Sequence, residues 1–152
     1  MKITSKGRYA VLAMVDVARH SNNSPCNLTD VSIRQNISLP YLERIFNDLK
    51  KAKLVESQKG PGGGYRLSKG SNQIQILEIF NAIDEKIKAT GCSNNPNDFC
   101  TGKGTRCLTH GLWQDLENLI GNYLQSISLN DLIIGFFLDF ALSSINDSKC
   151  VL

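Results

Sequence analysis

The 152-residue chain has no apolar run long enough to cross a bilayer. Its most apolar stretch, Leu132 to Leu138, ends at Asp139, whereas a spanning helix needs about 20 apolar residues. No secretory or transit leader is recognisable, because Met1 runs straight into a basic segment. The terminal Lys149-Cys150-Val151-Leu152 carries its cysteine third from the end, which excludes a prenylation signal. No internal repeat is present. No paired carboxylates and no nucleophile–base arrangement stand out, so an enzyme is not expected. A phosphate-cradling nucleotide loop is also disfavoured, since no Gly-Lys-Ser or Gly-Lys-Thr follows the one glycine-rich turn. These absences point to a cytoplasmic protein with no membrane association. Five cysteines without a leader fit a reducing compartment and metal or redox use.

Charge is unevenly spread. Residues 1–69 hold 12 Lys and Arg against 5 Asp and Glu, a net of +7, and residues 70–152 hold 5 against 9, a net of −4. A basic front half suggests a polyanion partner, while the acidic rear half suggests a second task.

The front half reads as helices and a hairpin. Ala10, Val11, Met14, Val17 and Ala18 recur at helical spacing over residues 5–20, with Ser5 as N-cap. Lys2, Lys6 and Arg8 crowd that helix start, where cations are unfavourable unless an outside anion such as phosphate meets them. His20 suits a helix C-terminus better than a ligand role. Cys26 reads as a small hydrophobe. Leu28 to Gln35 forms a short helix with Val31 and Ile33 among its apolar positions, Asn36-Ile37 turns, and Ser38 caps a longer helix to about Lys53. Leu42, Ile45, Phe46 and Leu49 make its buried stripe, leaving Tyr41, Glu43, Arg44, Lys50 and Lys51 outside. Such a pair is a helix-turn-helix, about residues 28–53. Residues 54–68 then read as strand, Lys59-Gly60-Pro61-Gly-Gly-Gly turn and strand, the wing of a winged helix. The expected fold is mainly α, a three-helix DNA-binding core with a β-hairpin wing, followed by a ligand loop and a long dimerisation helix. Residues 1–85 would make the DNA-binding region, 86–142 the loop and dimerisation helices of the same compact domain, and 143–152 a flexible tail.

In the rear half, Ile76, Ile79, Phe80 and Ile83 line a helix. Leu112, Leu116, Leu119, Ile120, Tyr123, Leu124 and Ile127 line a long one from Gly111 to Ser126. In so small a chain that long stripe suits a dimer interface. Ser128 and Asp131 resemble a capping box opening a last helix through Leu142.

Between these helices lies Cys92…Cys100…Cys107-Leu-Thr-His110, with gaps of seven, six and two residues. Its polar, Gly- and Asn-rich interior cannot bury an apolar face, so something must cross-link it to order it. Cys107 and His110, three apart, would share one side of a helix start, where a thiolate is favoured. Zinc accepts this donor set, although its usual short knuckles are absent. The wide gaps suit an iron–sulfur cluster. Disulfides and uninvolved thiols are the remaining possibilities.

Together, Thr4-Ser-Lys-Gly-Arg-Tyr-Ala-Val11, Ile37-Ser-Leu-Pro-Tyr-Leu-Glu43, Gly60-Pro-Gly-Gly-Gly-Tyr65, Ala82-Ile-Asp-Glu85 and Cys107-Leu-Thr-His-Gly-Leu-Trp113 resemble the IscR-type iron–sulfur-sensing winged-helix regulators over about residues 1–135. The resemblance implies a homodimer holding one 2Fe-2S cluster per chain through Cys92, Cys100, Cys107 and His110. It also implies double-stranded operator DNA as partner, repression of iron–sulfur assembly genes with activation of others, a bacterial cytoplasm and nucleoid setting, and contact with cluster donor proteins. Candidate DNA contacts are Lys2, Lys6, Arg8, Ser38, Tyr41, Glu43, Arg44, Lys50, Lys51, Lys59 and Gly60. The chain departs from the family pattern in longer cysteine gaps, in Pro40 on the recognition helix, and in Lys59 where Arg is typical. The alternatives are a zinc-stapled DNA binder without a sensing role and a nitric-oxide- or redox-sensing repressor of the wider family. A small electron carrier would need neither a wing nor a basic front half.

Overall fold

A computed structural model describes residues 4–21, 24–85, 88 and 107–135. Lys2, Cys92, Cys100, the expected continuation of the last helix to Leu142 and the expected tail at 143–152 lie outside them. The elements in order are α1 (Ser5–His20), α2 (Leu28–Gln35), α3 (Leu39–Lys51), β1 (Val55–Gln58), β2 (Gly64–Leu67), a short 3-10 turn (Ser71–Gln73), α4 (Ile76–Ala82), α5 (His110–Ser126) and α6 (Leu129–Ile133).

α3 is the best-defined helix in chemical terms. Leu42, Ile45, Phe46 and Leu49 are fully buried, each contributing about 1.5–3 kcal/mol by leaving water. Ser38 precedes it in extended conformation but makes no side-chain cap; its carbonyl accepts from Tyr41 and Leu42 instead. Pro40 sits within the first turn, where its missing N–H leaves no intrahelical bond unmade.

Helices α2, α3 and α4 are each followed by a non-glycine residue in the left-handed region: Asn36 (φ 52°), Lys53 (φ 59°) and Asp84 (φ 55°). At the end of α4 the Asp84 N–H donates to the Asn81 carbonyl and the Glu85 N–H to the Phe80 carbonyl. Such pairs satisfy the orphan carbonyls of a helix end and turn the chain sharply.

The wing is a two-stranded antiparallel hairpin pairing Val55 with Leu67 and Ser57 with Tyr65. A bridge between Cys26 and Tyr65, two backbone hydrogen bonds of 2.8 Å, fastens it to the connection before α2. Gly64 makes that close approach possible, because a Cβ there would collide with the Cys26 carbonyl. The Phe46 and Tyr65 rings meet edge to face at 5.0 Å, so the wing also rests on the underside of α3. The C-terminal elements return to the same core: the Ile76 N–H donates to Ile127 O and the Leu129 N–H to Ile74 O, with Leu129 fully buried. Ser128 and Asp131 form the expected capping box.

One expectation is corrected and two are refined. The N-cap of α1 is Thr4, not Ser5; its hydroxyl accepts from the Lys6 and Gly7 amides. Ile33 is 76% exposed, because the eight-residue α2 turns only Leu28 and Val31 fully inward. Cys26 is buried as expected of a small hydrophobe, but its Sγ also accepts from the Arg34 guanidinium at 3.3 Å.

That guanidinium belongs to a polar knot inside the core. Asp16 of α1 is 3% exposed. Its carboxylate accepts from Arg34 Nε and Nη2 and from Gln35 Nε2, at 2.5–3.1 Å. His20 lies one turn on, its Nδ1 donating to the Asp16 carbonyl at 2.8 Å. Burial pushes the Asp16 carboxyl up, but the hydrogen bonds from Arg34 and Gln35 and the charges of Arg34 and His20 outweigh it, so its pKa lies below the ordinary value. A carboxyl depressed in the folded state stabilises fully above the unfolded value of about 3.9 and loses that contribution as pH falls through the lower, folded value. Arg34→Met is expected to cost about 3–5 kcal/mol in urea unfolding, since it strands a buried charge. Asp16→Asn is expected to flatten the loss of stability between about pH 4 and pH 2. A loss under about 1 kcal/mol for Arg34→Met would contradict this account of the knot.

Candidate nucleic-acid interface and ligand pair

The outward face of α3 presents Tyr41, Glu43, Arg44 and Lys50, with Lys51 beside them. Glu43 and Arg44 are exposed, and neither has a side-chain hydrogen bond or ion pair among the described residues. An intrahelical pair of Glu43 with Asn47 or a lysine is therefore not formed. Tyr41 is half-buried and packs edge to face against Tyr9 of α1 at 6.0 Å. Lys50 Nζ donates to Ser57 Oγ at 2.6 Å, linking α3 to the wing. The exposed Lys51 lies 3.7 Å from the half-buried Asp48, a contact of a kind worth little. Lys59 and Gly60 stand exposed at the wing tip, and Arg8 is exposed on α1.

Lys6 is placed differently from the other candidates. Its Nζ donates to Asp48 Oδ2 at 3.2 Å and to the Ile83 carbonyl at 2.8 Å. The anion that meets the start of α1 comes from the chain itself: Glu85 accepts from the Thr4 amide at 2.8 Å and from the Thr4 hydroxyl at 2.7 Å. Sequence reading marked Glu85 only as part of a family motif and had no signal for Asp48 or for the Asp16 knot beyond one acid standing in the apolar run of α1.

Cys107 and His110 come together at the start of α5. The His110 N–H donates to the Cys107 carbonyl at 3.1 Å, closing the turn that places both residues at the helix start. Both residues are half-buried. Thr109 between them receives the Trp113 indole N–H at 3.2 Å. Cys92 and Cys100 lie outside the described residues, and among those described no three His, Cys, Asp or Glu side chains cluster so as to hold a metal ion. Beyond it, α5 has no buried residue; Leu112 and Leu119 are 61% and 66% exposed.

A helix pair whose second helix leaves Glu43 and Arg44 without partners among the described residues on its outer face, followed by a hairpin fastened beneath it, defines a winged helix-turn-helix DNA-binding protein. A family model described as "Rrf2: Iron-dependent Transcriptional regulator" matches residues 3–134, and the chain belongs to that family. It is 53% identical over 133 residues to the HTH-type transcriptional regulator IscR of Vibrio campbellii, covering 88% of this chain and 77% of the relative. It is 54% identical over 134 residues to the regulator of the same name from Vibrio cholerae, covering 88% and 76%. Among solved structures, T. potens IscR superimposes with a TM-score of 0.70 at 28% identity, covering 100% of this chain and 93% of that one. CymR, the global cysteine regulator of B. subtilis, gives 0.72 at 26%, covering 88% and 96%. The protein is thus a DNA-binding transcriptional regulator of the IscR type, not an enzyme. No helix among the described residues is long and apolar enough to cross a membrane.

The two described cysteines differ in access. Burial pushes the Cys26 thiol above its ordinary value, while Cys107 is half-exposed. In the metal-free chain, site-resolved alkylation is expected to modify Cys107 at least about tenfold faster than Cys26; equal rates would contradict the burial of Cys26.

Proposed function

We propose that this regulator holds one 2Fe-2S cluster per chain through Cys92, Cys100, Cys107 and His110 and reads iron–sulfur status at operator DNA. It would act mainly as a repressor of iron–sulfur assembly genes and as an activator elsewhere. The observation that carries the reading is the placing of a cysteine and a histidine, Cys107 and His110, on one turn at the start of α5, outside the DNA-binding helices, in a member of a family of iron-dependent regulators. The donor chemistry fits, since thiolates and a neutral imidazole are iron–sulfur ligands and the imidazole makes the site less negative than four thiolates would. When bound, the cluster supplies a cross-link whose presence depends on iron and sulfide supply.

The chain's own residues do the rest. α3 enters the major groove with Ser38, Tyr41, Glu43 and Arg44 near base edges. Arg8, Lys50, Lys51 and, outside the described residues, Lys2 meet phosphates. Lys59 and Gly60 carry the wing to the minor groove, where a lysine reads groove width less sharply than an arginine. A homodimer through α5 agrees with the exposure of Leu112, Leu119 and Tyr123. An apolar groove of about 470 Å³ along α1, lined by Tyr9, Leu12, Val15 and Phe80, gives a second copy somewhere to pack. On this reading, residues 1–85 bind DNA, 86–142 sense and dimerise, and the protein works at the nucleoid of a bacterial cytoplasm, loaded by cluster donor proteins.

Anaerobically purified protein is expected to be reddish, with about two iron and two sulfide per chain, and His110→Ala to lose most of both. Stoichiometric zinc without visible absorbance would overturn the cluster in favour of a zinc-stapled DNA binder.

Glu43 carries a second expectation. A carboxylate beside phosphates is repelled unless it accepts from a cytosine N4 amine, a contact worth about 1–3 kcal/mol of discrimination. At a site without that donor it stays desolvated and unpaired. Glu43→Ala should therefore relax base preference in selections from randomised operators and let the cluster-free chain bind sites that otherwise need the cluster. A uniform change across all sites would show that Glu43 only tunes charge.

A further inference from the structure

The end of α4 is tied to the recognition helix by a chain of polar contacts that no DNA-binding role explains. Lys6 Nζ bridges two elements, Asp48 of α3 and the Ile83 carbonyl at the end of α4, while exposing only about a third of its side chain. Two residues on, Glu85 grips Thr4 by amide and hydroxyl. Thr4 is the N-cap of α1, the helix that carries Lys6. The fit is close: a Cβ on Gly7 would lie 2.8 Å from both Glu85 Oε2 and the Phe80 ring, tighter than real Cβ contacts. The left-handed Asp84 turns the chain so that Glu85 reaches back to Thr4. Asp tolerates that conformation better than most side chains.

Glu85 lies seven residues before Cys92, the first proposed cluster ligand. A pull transmitted along the chain from the cysteine segment would reach Asp84 and Glu85, and the contacts of Glu85 with Thr4 and of Lys6 with Asp48 would carry it on to α1 and α3. We propose that Lys6, Asp48, Thr4 and Glu85 form a latch that couples the cysteine segment to the seating of α3, with Lys6 a positioning residue rather than a phosphate contact. A phosphate contact would have to abandon both the Asp48 carboxylate and the Ile83 carbonyl, leaving Asp48 with only the 3.7 Å contact to Lys51. Coupling of this kind requires that each state of the cysteine segment favour a different arrangement of the same contacts. It rests on the sensing role proposed above, but the statement about Lys6 stands apart from it.

The test uses full-length wild type, Lys6→Met and Glu85→Gln, each cluster-loaded and cluster-free, on an operator that wild type binds differently in the two forms. Iron content, sulfide content and urea midpoint are measured alongside, and Thr4→Val serves as a milder break of the Glu85 grip should Glu85→Gln fail to fold. In the cluster-free chain, Lys6→Met is expected to leave the salt dependence of binding unchanged, whereas loss of a phosphate contact would lower the slope by about one. In the loaded chains, both variants are expected to keep their clusters yet lose most of the affinity difference between the two forms, which typical coupling puts at about fivefold or more. A drop of about one in the slope with coupling intact would make Lys6 a phosphate contact and overturn the latch. Wild-type coupling in every cluster-bearing variant would overturn it too. A wild-type chain that holds the cluster yet binds all DNA equally with and without it would overturn the sensing reading, and the salt slope would still decide the position of Lys6.

Discussion

The DNA-binding head depends on one buried carboxylate. Asp16 faces inward from α1 among Ala13, Met14 and Val17, and only the Arg34 fork and the Gln35 amide make its burial tolerable. A charge taken out of water needs a partner of good geometry, so α2 can dock on α1 in one rotation only. Arg34 also reaches the Cys26 thiol, and Cys26 pairs with Tyr65 of the wing. The position of α2, and through it the turn into α3, is thus set by polar geometry rather than by the two inward apolar residues of a short helix. The wing inherits its position from the same corner, with Phe46 and Tyr65 adding an apolar contact to α3.

How much of this could be read from residues alone depends on sequence distance. The α3 stripe, the hairpin, the inward face of α4 and the Ser128–Asp131 capping box were legible because each is a local pattern: a 3.6-residue period, a glycine-rich turn, a cap three residues from its partner. The Asp16 knot was not, because its partners lie 18 and 19 residues away and a lone acid in an apolar run has several possible fates. The Thr4–Glu85 and Lys6–Ile83 contacts span 81 and 77 residues, beyond any local pattern. Ile33 is apolar in type yet exposed, since so short a helix decides by rotation which side chains face inward. Of the candidate ligands, Cys107 and His110 stand three apart on the first turn of α5, as their spacing suggested, joined by a backbone hydrogen bond.

The placement of Lys6 and the free face of α3 divide the basic front half into two kinds of cation. Arg8, Arg44 and Lys59 have no acceptor among the described residues and face outward. Lys6 is held between helices and contributes to their arrangement. Net charge therefore overstates the number of phosphate contacts, and the electrostatic footprint on DNA is narrower than composition suggests. The same division gives the regulator a route from its rear half to its front half that uses no moving domain, only a helix end and the two side chains that hold it.

If the cysteine segment and the DNA face are linked, the linkage is reciprocal: whatever factor the cluster contributes to DNA affinity, DNA must contribute to cluster affinity. The direct measurement is cluster occupancy, followed by visible absorbance through a chelator titration to equilibrium, with and without an operator selected by the loaded protein. The account predicts that operator DNA shifts the titration toward retention by the same factor by which the cluster tightens that operator. Identical titrations with and without such DNA would contradict it, and would leave the metal site a staple with no voice in operator choice.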